Sequence, residues 1–167
     1  NGVACKKSGA TTKTSGGTYK CAKNPLVKNS KLTWLSLDCV TAATDAVKAE
    51  KSAITTAANF KAQLPVIELG ITTETANKAE IQVKLDAATL RLTAAQAKLA
   101  AAKTDADKRL LTTAVSSWTS ATRAYASKIR NIDLTIKKLE AAKLAATNKP
   151  AELASNVTNA RDSAKLI

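Results

Sequence analysis

The chain has 167 residues, the size of one ordinary domain or of one domain with a small appendage. It carries 26 Lys and Arg against 13 Asp and Glu, a net charge of +13, with no His, no Met, three Cys and 3% aromatic residues. Without His there is no Ser-His-Asp or Cys-His nucleophile pair, no His-ligated zinc or haem and no imidazole switch, and so few rings argue against a stacking surface for single-stranded nucleic acid.

Residues 1–39 stand apart from the rest. They hold all three cysteines, four of the five glycines, seven Lys and a single acid, Asp38. No helical period runs through them. Gly16-Gly17 lies between Thr11-Thr12-Lys13-Thr14 and Thr18-Tyr19-Lys20, which predicts a hairpin: Gly supplies the turn, and Thr and Tyr suit a pleated, half-buried surface. A second short strand, Lys31 to Trp34, follows the turn-like Asn24-Pro25. Cys5 and Cys21 flank the hairpin turn, and a bridge between them would hold a sheet too small to stabilise itself by apolar burial. The cysteine spacings contain no C-x2-C knuckle, which disfavours zinc. Cys39 falls at the start of the first helical stretch. It reads as a small buried apolar residue, as an intermolecular bridge, or as an exchange partner for Cys5 or Cys21. One spare thiol joins two chains only; a covalent polymer needs two different cysteines pairing across subunits.

The run Gly2-x-x-Cys5, Gly9-Ala10-Thr11, Gly17-Thr18-Tyr19-Lys20-Cys21 and Leu32-Thr33-Trp34 resembles a short module of secreted and surface proteins of actinobacteria. In that pattern two cysteines bracket a Lys/Thr/Gly hairpin and a Leu-x-Trp strand closes the unit. The likeness covers about a fifth of the chain. It implies an extracytoplasmic location and a Cys5–Cys21 bridge, and it implies no catalytic residue. Cys39 lies outside it. The chain opens at Asn1 without a charged and apolar leader, so Asn1 is expected to be a mature terminus after removal of a secretory signal. No run of about 18 apolar residues predicts a membrane span.

From Asp38 the composition turns to Ala, Thr, Lys and Leu, and alanine makes up about a fifth of the chain. The expected division is a Cys-bearing β module over 1–37 and a helical bundle over 38–167. A first helix is predicted from Asp38 to about Gln63, with Val40, Ala43, Val47, Ile54, Ala57 and Leu64 on one face. Pro65 disfavours helix at Leu64 and ends it. Residues 65–72 then read as an apolar connector whose Val66, Ile67, Leu69 and Ile71 either plug a bundle end or dock on a neighbour. A second helix starts near Thr72 or Thr73, and Ile81, Leu85, Ala88, Leu92, Ala95, Leu99 and Ala102 form its heptad seam.

The next series, Leu111, Val115, Trp118, Thr122, Tyr125, Ile129, Ile132, Ile136 and Leu139, is out of phase by about two residues. Thr104-Asp105-Ala106-Asp107 at the break resembles a capping box with Asp107 in place of Glu, which predicts a turn at 103–106. The alternative is one uninterrupted helix over 73–147. Pro150 suits the start of a fourth helix, in which Leu153, Val157, Ala160, Ala164 and Ile167 continue the pattern. The lengths are then roughly 40, 46, 63 and 25 Å. The fold expected is mainly α: an elongated, Ala-rich antiparallel bundle or coiled coil of three long helices and a short fourth, with a disulfide-bearing β hairpin at its N-terminus. Ile132, Ile136 and Leu139, near the far end of the overlong third helix, need cover from the fourth helix, the module or another subunit.

No residues assemble into a catalytic site. Asp45 with Lys48, Glu80 with Lys84 and Asp133 with Lys137 read as solvated pairs. Asp105 and Asp107 read as turn and cap, not a calcium loop. Phosphate-binding glycine motifs are missing. Trp118 and Tyr125 fall on the seam and read as core. The charge is diffuse and Lys-rich, unlike the Arg-rich, aromatic-bearing surface of a nucleic-acid reader. The expectation is a non-enzymatic extracellular structural protein of a bacterial surface, without cofactor or metal, that forms a homo-oligomeric filament or layer. The alternative is a basic module binding anionic polymers, cell wall before nucleic acid.

Overall fold

The computed structural model of the chain describes residues 2–165. Three strands precede two long helices: β1 (Thr11–Thr14), β2 (Gly17–Ala22), β3 (Thr33–Ser36), α1 (Leu37–Ala101) and α2 (Asp105–Lys165). The strands form one antiparallel sheet in the order β1-β2-β3. Two compact units arise, one from Asn1–Gln63 with Ala145–Ile167 and the other from Leu64–Leu144.

The predicted hairpin is present. Thr14 pairs with Gly17, so Ser15 and Gly16 make a two-residue loop. Gly17 takes φ +125°, a conformation open to glycine. The Thr14 hydroxyl oxygen accepts the Gly16 N–H at 3.2 Å, which tightens the turn. β3 lies two residues later than the Lys31–Trp34 strand expected. Its register sets Cys21 opposite Trp34 and Ala22 opposite Thr33. The segment before Cys5 covers the other edge of β3: Gly2 N–H donates to the Trp34 carbonyl at 3.0 Å and Trp34 N–H to the Val3 carbonyl at 2.8 Å. That pairing satisfies backbone groups which position 33 or 34 of an edge strand would leave to solvent. The β2–β3 connection is fixed by Asn24, whose Oδ1 accepts the Leu26 N–H at 2.9 Å, and by Asn29 in the left-handed region at φ 60°. Cys21 and Leu35 are buried and form the module's small core.

β3 runs straight into α1. Ser36 caps it: its Oγ accepts the Cys39 N–H at 3.1 Å, and Asp38 places an acid in the first turn. The three long helices and short fourth expected from sequence are in fact two. Pro65 and Pro150 both lie inside helices, so residues 65–72 are not a connector and no helix begins at Thr72 or at Pro150.

The physical reason is the seam. Within the first unit, α1 buries or half-buries Ala43, Ala46, Glu50, Ala53, Ala57 and Phe60. Within the second, the same spacing continues through Leu64, Ile67, Ile71, Glu74, Lys78 and Ile81 to Leu99. Pro65 forfeits the bond to the Lys61 carbonyl at a cost of about 3 kcal/mol. Half-burying Leu64, Ile67 and Ile71 in phase recovers roughly 1 kcal/mol each, enough to carry the helix past it. Pro65 itself is exposed, on the side where the missing donor is most easily accommodated. Around Pro150, Ala146 is buried and Leu153 and Val157 are half-buried in the phase of the Leu111–Leu139 series.

The break between helices falls where the seam changes phase, at residues 102–104. Thr104 is the cap: its Oγ1 accepts the Asp107 N–H at 3.1 Å, and its hydroxyl donates to Asp107 Oδ2 at 2.6 Å. Within the Leu64–Leu144 unit the two helix segments are antiparallel. Ten residues up α1, from Glu68 to Lys78, correspond to ten residues down α2, from Lys143 to Asp133. Gly70 allows close approach there, since a Cβ on it would stand 3.3 Å from Leu139 Cδ1. Ile132 is buried and Ile136 and Leu139 half-buried in this unit, so the cover these residues require comes from α1. Ile54 departs from the expected face: it is 63% exposed, and Ala53 takes the seam position.

Candidate functional site

The cysteines are disposed as a staple and a free thiol. Cys5 and Cys21 are disulfide-bonded with their Cα atoms 5.9 Å apart. Cys39 is free and half-buried, seven residues before the buried Ala46 on the seam face of α1. The exchange of Cys39 with either partner is therefore absent from this fold. On the module, Lys6, Lys7, Lys13, Lys23, Lys28 and Lys31 are exposed, and among the described residues none of them forms an ion pair.

The four apolar residues proposed as one patch divide between two sides of α1. Ile67 and Ile71 turn into the seam and are half-buried. Val66 and Leu69 point away from it and are 71% and 66% exposed. A helical period of 3.6 makes this separation, because residues two apart lie on opposite sides.

Charges that interrupt the seam meet opposite charges on the facing helix. In the second unit Lys78 pairs with Asp133 at 2.7 Å, and Lys143 with Glu68 at 2.8 Å. In the first, Arg161 Nη1 donates to both Glu50 carboxylate oxygens at 2.9 and 2.8 Å. Asp133 thus serves α1, not Lys137 as its spacing suggested. These pairs sit part-way into solvent, where each contributes about 0–1 kcal/mol. Their larger effect is on register, since a slipped helix pair would leave Glu50, Lys78 and Lys143 facing apolar neighbours. The sequence carried a signal for them: all three occur in the seven-residue phase of the seam.

Asp45–Lys48 and Glu80–Lys84 form as expected along α1, at 3.4 and 2.5 Å. The Lys84 ammonium, by hydrogen bond and charge, holds the Glu80 carboxyl below its ordinary value, and Glu80 raises Lys84 in return. Both are solvent-facing, as in a surface pair. Arg91 stacks over Trp118 with 4.9 Å to the ring centroid, so the ring is held between seam and cation. Two of the shallow grooves that flank the helices are lined by both α1 and α2. One, of about 240 Å³ in the first unit, is lined by Ala53, Ile54, Ala57, Pro150 and Leu153. The other, of about 360 Å³ in the second unit, is lined by Glu74, Glu80, Lys84 and Lys128 around Ile81 and Ile132. Among the described residues no three His, Cys, Asp or Glu side chains cluster as metal ligands, and no helix is long and apolar enough to cross a membrane.

Comparison of the chain with protein-family models, curated proteins and solved structures gives no match in any of the three.

Proposed function

We propose that the chain is a non-enzymatic extracellular structural protein of a bacterial surface that self-assembles into a filament or layer. The observation that carries this is a set of large aliphatic side chains left outside the seam of a thin pair of helices. The buried positions of the helices are mostly alanine: Ala43, Ala46, Ala88, Ala95, Ala146 and Ala164. Large aliphatic side chains such as Ile54, Val66, Leu69, Val83, Leu90 and Leu134 stand exposed. Alanine seams let two helices approach closely but bury little, and leucines left outside gain only by covering from another molecule. The disulfide supports an oxidising, extracytoplasmic setting.

Negative-stain electron microscopy with light scattering on the full chain tests the reading. Filaments or sheets are the expected result; a monodisperse monomer at high concentration would remove it. The second reading, a module for anionic polymers, is favoured by the exposed unpaired lysines of the β module. It predicts retention on a polyanionic wall polymer at low salt and steep release as salt rises.

A further inference from the structure

The β module gathers its lysines at one end of its sheet. Thr14 pairs with Gly17, and Tyr19 with Ser36, at the end that holds the hairpin loop and from which α1 leaves. Towards the other end Thr11 pairs with Lys20 and Ala22 with Thr33. Ala4 bridges to Thr33 there, and the Cys5 N–H donates to the Leu32 carbonyl at 3.2 Å. The module's two longer connections therefore lie at this second end: residues 5–10 lead to β1, and residues 23–32 join β2 to β3. They carry Lys6, Lys7, Lys23, Lys28 and Lys31, all exposed. Of the other two lysines, Lys13 lies towards the hairpin loop and Lys20 is half-buried in β2.

The stretches that bear these lysines are tied together. The Cys5–Cys21 disulfide holds the Cα atoms 5.9 Å apart, and the Gly9 N–H donates to the Cys21 carbonyl at 2.9 Å. In the register of Ala4 with Thr33, Lys6 is level with Lys31. In that of Ala22 with Thr33, Lys23 is level with Leu32.

No acid balances them. Residues 1–37 contain no Asp or Glu, and the first acid, Asp38, stands in the opening turn of α1 at the other end of the sheet. Among the described residues none of the five forms an ion pair. Gathering like charges destabilises a module whose buried core is Cys21 and Leu35, and a bound anion removes that repulsion. Residues 1–37 also contain no Arg, and their two rings, Tyr19 and Trp34, are half-buried, so they offer no exposed ring for stacking on a base.

We propose, resting on the anionic-polymer reading, that this end of the sheet is the polymer site, assembled by the Cys5–Cys21 bridge, and that its ligand is a flexible phosphodiester polymer without bases, the chemistry of a cell-wall polyanion. Lysine meets phosphate as a point charge without the two-point geometry of Arg, which suits a chain whose phosphates take no fixed orientation. Contact with about four phosphates of such a chain gives a slope of log K against log salt of about −3.

The test uses the full chain and poly(glycerol phosphate), with binding measured across a salt series. Lys6→Gln with Lys31→Gln removes two charges from the site, and Lys137→Gln with Lys138→Gln removes two exposed charges from α2. The first pair should weaken binding at least about ten-fold at low salt and make the slope shallower by about one; the second should leave affinity within about two-fold. Cys5→Ser with Cys21→Ser keeps every lysine and should also weaken binding at least about ten-fold, with helicity retained by circular dichroism. Equal losses from the two lysine pairs, or parent-like binding by the cysteine variant, would overturn the site while the anionic-polymer reading stands. Failure of the parent to bind at low salt would overturn both. Binding to oligothymidylate of equal charge at least about ten-fold tighter than to the glycerol polymer would overturn the ligand and assign the lysines to nucleic acid.

Discussion

Cys21 shows how one side chain fixes the module. It is fully buried, paired across the sheet with Trp34 and bonded to Cys5 sixteen residues away. A loop of that length closed by a disulfide is worth about 3 kcal/mol in a domain with almost no apolar core. Cys21→Ser should therefore release the β module, seen as loss of amide protection over residues 2–36, while helicity by far-UV circular dichroism stays near that of the parent. At Glu80 the sign of the pH effect follows from its partner. Its carboxyl is held below the ordinary value, so the pair's contribution is present above that value and lost as pH falls through the lowered one. The raised Lys84 loses its contribution as pH climbs through its own raised value. Lys84→Ala should return the Glu80 midpoint towards that of a free glutamate in a carboxyl NMR titration; an unmoved midpoint would contradict the pairing. At this scale much was legible. The Cys5–Cys21 bridge follows from the staple logic of a small sheet, and Glu80–Lys84 from helical spacing. The cross-helix partner of Asp133 was not, because a local pairing with Lys137 has equal spacing merit until the register of two helices is known.

At the scale of elements, the prolines misdirect a reading by local propensity and the seam corrects it. Leu64, Ile71, Lys78 and Leu85 are seven apart, and so are Leu139, Ala146, Leu153 and Ala160. Both phases pass through a proline unchanged, whereas the phase is lost between Ala102 and Leu111, where the chain turns. Continuity of phase, not Pro or Gly, is the signal that marks the helix ends in this chain. If α1 and α2 are continuous, Pro65→Ala and Pro150→Ala should each stabilise the protein by about 1–3 kcal/mol, since Ala restores a helical hydrogen bond. Helix ends at those sites would instead give no change or a loss on thermal denaturation. Thr104→Ala should cost about 1 kcal/mol through the lost cap. Gly70→Leu should cost about 1–3 kcal/mol, because its side chain would occupy the place of Leu139.

At the scale of the molecule, the net charge of +13 is distributed in a pattern. The six exposed lysines of the β module form no ion pair among the described residues, and the remaining basic residues are spread along both helices. The sparse aromatics fit the same plan: Trp118 and Tyr125 lie half-buried in the seam, among alanines and larger aliphatic side chains. Composition alone leads from missing His to missing reaction classes. The large aliphatic side chains left outside the seam add a reason for a partner, and they become visible only when each helix has a defined inner side. Sedimentation velocity of the full chain over a hundred-fold range of concentration tests that central claim most directly. The account predicts boundaries that move from a 17.4 kDa monomer to large species as concentration rises. A single 17.4 kDa boundary at every concentration would contradict it.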